Sequence, residues 1–127
     1  MKEMLIDYMG RGFLDNIIAL FKQDRTLYRF IADMLANDQI RVRLGATALV
    51  EELAQDNRKE LSAVVPGLIK LLKHENPTIR GDAASVLSII KDTAAINALR
   101  DCLKDSHPGV REIAREALSE LDISGDR

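Results

Sequence analysis

Tryptophan is absent from this chain of 127 residues, and Tyr and Phe together supply only five aromatics, all between Tyr8 and Phe30. A surface that stacks nucleic-acid bases needs aromatic platforms spread along a groove. Cys102 is the single cysteine, so an intramolecular disulfide and a cysteine-based metal cluster are both excluded. Histidine is nearly as scarce, with His74 and His107 alone. No apolar run approaches the ~18 residues that read as a membrane span. The opening MKEMLIDYMG is interrupted by Asp7 and is too short and polar for a secretory signal. Neither sign of charge dominates: 18 Lys and Arg against 20 Asp and Glu give a formal charge of −2, and the basic residues form no run. Nucleic-acid binding needs basic residues gathered on one face. These absences lead us to expect a cytoplasmic globular protein that binds neither nucleic acid nor membrane.

What is present is a pattern that occurs three times. Val42-Arg43 is followed by Ala46, Leu49, Val50 and Leu53. Ile79-Arg80 is followed at the same offsets by Ala83, Val86, Leu87 and Ile90. Val110-Arg111 is followed by Ala114, Ala117, Leu118 and Leu121. The copies start 37 and then 31 residues apart, and self-similarity at such periods signals a repeat architecture. The apolar positions recur at three and four residues, the mark of an amphipathic helix, and no stretch alternates as a strand would.

A second helix precedes each of these, so the unit is a helix A, a short turn and a helix B. Ile31, Leu68 and Leu99 fall in register along the A helices, as do Leu35, Leu72 and Leu103. Tyr28, Val65 and Ile96 form a third set, and Met34, Leu71 and Cys102 a fourth. Asp24 and Asp92 are expected to cap A helices, and Asn76-Pro77 to open a B helix as N-cap and N1 proline. The first B helix is predicted over about 39–54, followed by a polar loop over 56–59. About six extra residues around Asp56 to Leu61 are expected to lengthen a loop or the start of a helix. The predicted fold is all-α, a right-handed α-solenoid of three helix pairs behind N-terminal capping helices. Its expected divisions are one domain with caps at 1–24, repeats at 25–55, 59–91 and 92–121, and a frayed tail at 122–127.

These units resemble HEAT repeats, in particular the HEAT-like repeats of the phycobilisome lyase class. The resemblance rests most on Asp92, Ala95, Leu99, Leu103, Asp105, Val110-Arg111, Ala114 and Ala117-Leu118, and on Pro66 inside the second A helix. The chain departs from that pattern where Asn37 and His74 stand in place of the turn aspartate Asp105. Arg29 and Asn97 stand in place of Pro66, and Glu51, Ser88 and Ser119 in place of the repeat glycine. The resemblance implies that Arg43, Arg80 and Arg111 are structural, each bonding a turn carboxylate or a carbonyl of a neighbouring repeat. HEAT-repeat hydroxylases hold a di-iron centre with several His-Glu pairs. Here His74-Glu75 is the one such pair, and Asn37-Asp38 and Asp105-Ser106 occupy the equivalent turns. No catalytic residue, metal ligand or cofactor site is therefore assigned. Cys102 is expected in the core, and His107 before Pro108 in a turn or N-cap.

The expected role is a non-catalytic interaction module, monomeric or weakly oligomeric, that takes a helix or peptide of another protein along the concave B-helix surface. The residues chosen for that contact are Arg41, Glu51, Glu52, Asp82, Ser85, Ser88, Arg115, Glu116 and Ser119. Ala46, Ala83 and Ala114 are chosen as points of close helix approach. A bilin-lyase-like subunit acting on a phycobilin-carrying partner is the alternative that the resemblance implies, and a HEAT-like nucleic-acid binder a more distant one. The N-terminal aromatics are expected to cap the open end of the stack, or else to anchor a partner. The polar outer face of the last B helix suggests that the stack stops there.

Overall fold

The computed structural model describes the backbone of residues 1–125 and the side chains of residues 1–121, and the described residues hold helices and turns without a strand. The tail expected to fray, 122–127, lies outside the residues whose side chains are described. Two compact units partition the chain, Met1–Val64 and Val65–Arg127, each with its own core.

In the first unit, α1 (Lys2–Gly10) and α2 (Leu14–Gln23) precede a 3-10 stretch (Arg25–Phe30), α3 (Ile31–Leu35) and α4 (Ile40–Asn57), and a second 3-10 stretch (Glu60–Val64) closes it. Helix α4 is the centre against which α1, α2 and α3 pack. Its Val42, Ala46, Leu49, Val50 and Leu53 are buried against Leu5, Ile17, Phe21, Ile31, Met34 and Leu35. Burying each such side chain is worth roughly 1.5–3 kcal/mol, so this stripe is what holds the unit together. Gly45 permits the approach of α1, because a Cβ there would run into the Met9 side chain. The chain turns between α1 and α2 at Gly12, whose φ of +90° favours a residue with no Cβ.

The second unit contains α5 (Val65–Leu71), α6 (Pro77–Ile90), a 3-10 turn (Thr93–Ala95), α7 (Ile96–Asp101), a further 3-10 turn (Cys102–Lys104) and α8 (Pro108–Gly125). The B helices α6 and α8 make its most extensive contact. Ala83 and Ala114 are both fully buried, and a Cβ on Gly81 would come within 3.1 Å of Ile113. Small residues on that side of α6 let α8 lie close.

The A helices differ from the uniform α-helices the periodicity implied. Each begins as 3-10 and then becomes α, and the third returns to 3-10 at Cys102–Lys104. Asp24 and Asp92 cap as expected, each accepting the N–H two residues on, Thr26 and Ala94, and such a bond tightens the first turn. Pro66 sits in the first turn of α5, where a missing N–H costs little. The register sets are buried at Ile31, Leu68 and Leu99, whereas Leu103, aligned with buried Leu35 and Leu72, is exposed in the 3-10 turn that ends α7. The extra residues of the first repeat, expected around Asp56 to Leu61, in part lengthen the end of a B helix. Helix α4 continues one turn past Leu53 to Asn57, so Asp56 and Asn57 are helical and not part of a loop. At the equivalent Ile90, α6 stops because Lys91 adopts the left-handed conformation, φ 60°, and caps it.

The aromatics divide by burial. Phe21 and Tyr28 are buried and stacked with ring centroids 6.2 Å apart. Burial raises the Tyr28 phenol above its usual pKa. Phe13 is 46% exposed and packs edge-on against the exposed Tyr8.

Candidate functional site

The A–B turns are built three times by one device, although their sequences differ. Asn37 Oδ1 accepts the Gln39 N–H at 2.9 Å, His74 Nδ1 accepts that of Asn76 at 3.0 Å, and Asp105 Oδ1 accepts that of His107 at 2.9 Å. Six residues after each of these stands one of the repeated arginines. Arg43 donates Nη1 to the Asn37 carbonyl at 2.8 Å, Arg80 to that of His74 at 2.9 Å, and Arg111 to that of Asp105 at 2.7 Å. The turn side chain and the helix-B guanidinium thus close the loop from opposite sides, and carbonyls left unpaired at the end of helix A gain a charged donor. Asn37 and His74, which looked like departures from an aspartate position, do the same work with different atoms. His107 likewise accepts the Gly109 N–H through Nδ1 at 3.0 Å, as Asn76 Oδ1 accepts that of Thr78 at the equivalent turn.

Arg80 reaches the next turn as well. Its Nε and Nη2 form a bidentate pair with Asp105 Oδ2 and Oδ1 at 2.8 and 2.9 Å. The two side chains are 14% and 10% exposed. The Arg80 hydrogen bonds, aided by the His107 N–H, hold the Asp105 carboxyl below its usual range, and Asp105 raises Arg80 in return. Arg43 and Arg111 bond the carbonyls of their own turns, and Arg80 forms a bridge between repeats of the kind the resemblance implied.

Three helix pairs with a common turn, a common arginine and a buried alanine in each B helix make a repeat, and the family profile described as HEAT repeats matches residues 28–119. The chain belongs to the HEAT-repeat family. No curated protein matches it significantly.

In HEAT-repeat terms, α4, α6 and α8 are the B helices, and the nine residues expected to touch a partner all lie on them. None of the nine is buried. Register places Ser85 with Glu116, and Glu51 with Ser88 and Ser119, at equivalent positions. Within the second unit, Ser85 and Ser88 on α6 are half-buried, while Glu116 and Ser119 on α8 are exposed. Asp82 lines a groove of about 170 Å³ between the N-terminal ends of α6 and α8, beside Thr78 and Gly109. Arg115 stands apart from these. Its register equivalent is Ala84, buried on the side of α6 that α8 covers, so Arg115 and its ion-pair partner Glu112 occupy the side of α8 turned away from α6. In the first unit, Arg41 and Glu51 are exposed and Glu52 half-buried on α4. Sequence reasoning passed over Ile40 and Leu44 of the same helix, which are 62% and 63% exposed. Their place outside the repeated apolar stripe was the available signal.

A cleft of about 320 Å³ opens between α5 and α7, lined by Ile69, Leu72, Lys73, Ala98 and Cys102. Cys102 is buried there, at the core position its register predicted. Burial first, then the nearby Asp105 and Asp101 charges, push its thiol up, which disfavours the nucleophilic thiolate. Among the described residues, no group of three or more His, Cys, Asp and Glu converges as metal ligands would. No helix among them is long and apolar enough to cross a membrane.

Proposed function

We propose that this HEAT-repeat protein is a non-catalytic interaction module of the cytoplasm, whose B-helix faces take a helix or an extended peptide of another protein. One observation supports this most directly. On the adjacent helices α6 and α8, the pairs Ser85/Glu116 and Ser88/Ser119 stand in matching register, polar and accessible, above a fully apolar core. A side of repeated, evenly spaced hydrogen-bonding groups suits a ligand of regular periodicity lying across successive helices. The groove lined by Thr78, Gly81 and Gly109 continues that side toward the helix N-termini.

Affinity capture from native lysate tests the proposal, with the wild-type protein and a Glu116→Arg/Ser119→Arg variant as baits. Both positions are exposed, so the fold should be retained. The variant is expected to lose proteins that the wild type captures. If the two baits capture the same set, the α6–α8 face is not the binding surface.

A further inference from the structure

Several of the large hydrophobic side chains left exposed lie on the first two helices: Met4 and Tyr8 on α1, Phe13 at the start of α2, and Leu20 within it. The turn between these helices explains how two of them are held. Gly12 donates its N–H to the Met9 carbonyl and Phe13 donates its own to that of Tyr8, each at 3.0 Å. This is a Schellman ending, with Gly12 at positive φ as the residue that closes the helix. Such an ending brings the side chains on either side of it into contact. Phe13 accordingly meets Tyr8 edge to face, with ring centroids 5.7 Å apart. The contact holds the Tyr8 ring in place but does not bury it, and 38% of the residue stays exposed.

Beside Tyr8 opens a pocket of about 510 Å³, lined also by Asp15, Asn16, Ala19, Leu20 and Gln23 of α2. The α2 residues form one flank, because positions three, four and seven apart share a helix face. Both helices belong to the first unit and pack on each other, so the pocket is built within that unit. Its lining combines apolar and aromatic walls with one carboxylate, Asp15, and two carboxamides. Among the described residues, Asp15 has no ion-pair partner. We propose that this pocket takes an arginine side chain of another protein. The aliphatic stem lies on Ala19 and Leu20, as such stems do on apolar surface. A guanidinium is attracted to an aromatic ring and to a carboxylate, and Tyr8 and Asp15 supply one of each. It carries five N–H donors, more than one carboxylate accepts, and the Asn16 and Gln23 side-chain oxygens take the remainder. A purely apolar ligand would instead desolvate Asp15 without pairing it, which costs affinity. Lysine brings a compact ammonium with three donors and stacks less well on a ring. The pocket uses none of the residues of the α6–α8 face, and the inference goes beyond the reading of that face.

Titration of the intact, isotope-labelled protein with the capped tripeptide acetyl-Leu-Arg-Leu-amide, followed by NMR, tests this. Backbone signals of α1 and α2 and the side-chain amides of Asn16 and Gln23 are expected to shift saturably at millimolar peptide. Acetyl-Leu-Gln-Leu-amide is expected to bind about fivefold more weakly or worse, with acetyl-Leu-Lys-Leu-amide between the two. Tyr8→Ala and Asp15→Asn should each weaken the arginine peptide about fivefold. Both residues are exposed, so far-ultraviolet circular dichroism should be unchanged. Tyr8→Phe keeps the ring and should bind as the wild type does. The proposal is overturned if α1 and α2 show no shifts at millimolar peptide, or if the arginine and glutamine peptides bind equally. An Asp15→Asn variant with undiminished binding also overturns it. Shifts confined to α6 and α8 would do the same while leaving the reading of that face standing.

Discussion

At the scale of single residues, Asp105 is a junction between repeats. It accepts the His107 N–H, takes two guanidinium bonds from Arg80, and offers its carbonyl to Arg111. Its carboxyl is held below the ordinary carboxylate range, mainly by Arg80. A depressed carboxylate pKa in the folded state stabilises the fold at pH values above the unfolded pKa. That contribution disappears as pH falls through the folded value, so the affected window is below about pH 4. Asp105→Asn is therefore expected to cost about 1–2 kcal/mol at neutral pH. It should also flatten the acid limb of a stability–pH curve measured by urea denaturation. An acid limb of unchanged slope would contradict this role. Ala83 supplies a second test of the same kind. It is fully buried where α6 meets its neighbours, and Ala83→Leu should lower stability by about 1–3 kcal/mol through overpacking, read as a drop in Tm.

At the scale of elements, the lengths of the B helices are decided by how each one ends. Lys91 ends α6 in a left-handed conformation that a residue with a Cβ adopts at a cost of about 1–2 kcal/mol. Lys91→Gly should relieve part of that strain, offset by the freedom glycine gains when unfolded. Its contact with Glu120 is long at 4.0 Å and solvent-exposed, and contributes little. The expected net change is a gain of about 0.5–1 kcal/mol in chemical denaturation. A loss would mean that the Lys91 side chain matters more than its backbone. Helix α4 has no such stop after Leu53 and runs on to Asn57. The A helices show the converse, a tight start set by Asp24 and Asp92, and this is why a pattern read at 3.6 residues per turn missed their 3-10 halves.

At the scale of the whole molecule, the all-α class, the A–B order and the core were legible in the sequence. Spacing at three and four residues is a direct consequence of helix geometry, and an apolar stripe must be covered. Ala46, Ala83 and Ala114 were correctly placed in the core for that reason, as were Ile31, Leu68, Leu99 and Cys102. The interaction surface was less legible. Polar residues outside a stripe are easily named, but which side of its helix each occupies depends on which neighbouring helix covers which flank. Arg115 was grouped with Ser85 and Ser88, yet α8 turns it away from α6. Ile40 and Leu44 were passed over although they lie outside the repeated apolar stripe. The sequence by itself determined the repeat, its period and the residues that must be inside, since these follow from periodicity and hydrophobicity along the chain. Only the tertiary structure decided that Asn37, His74 and Asp105 serve one turn device, that Arg80 bridges two turns, and that Ile40 and Leu44 of α4 are exposed. Those outcomes depend on distances between residues that the chain brings together, which no local pattern encodes.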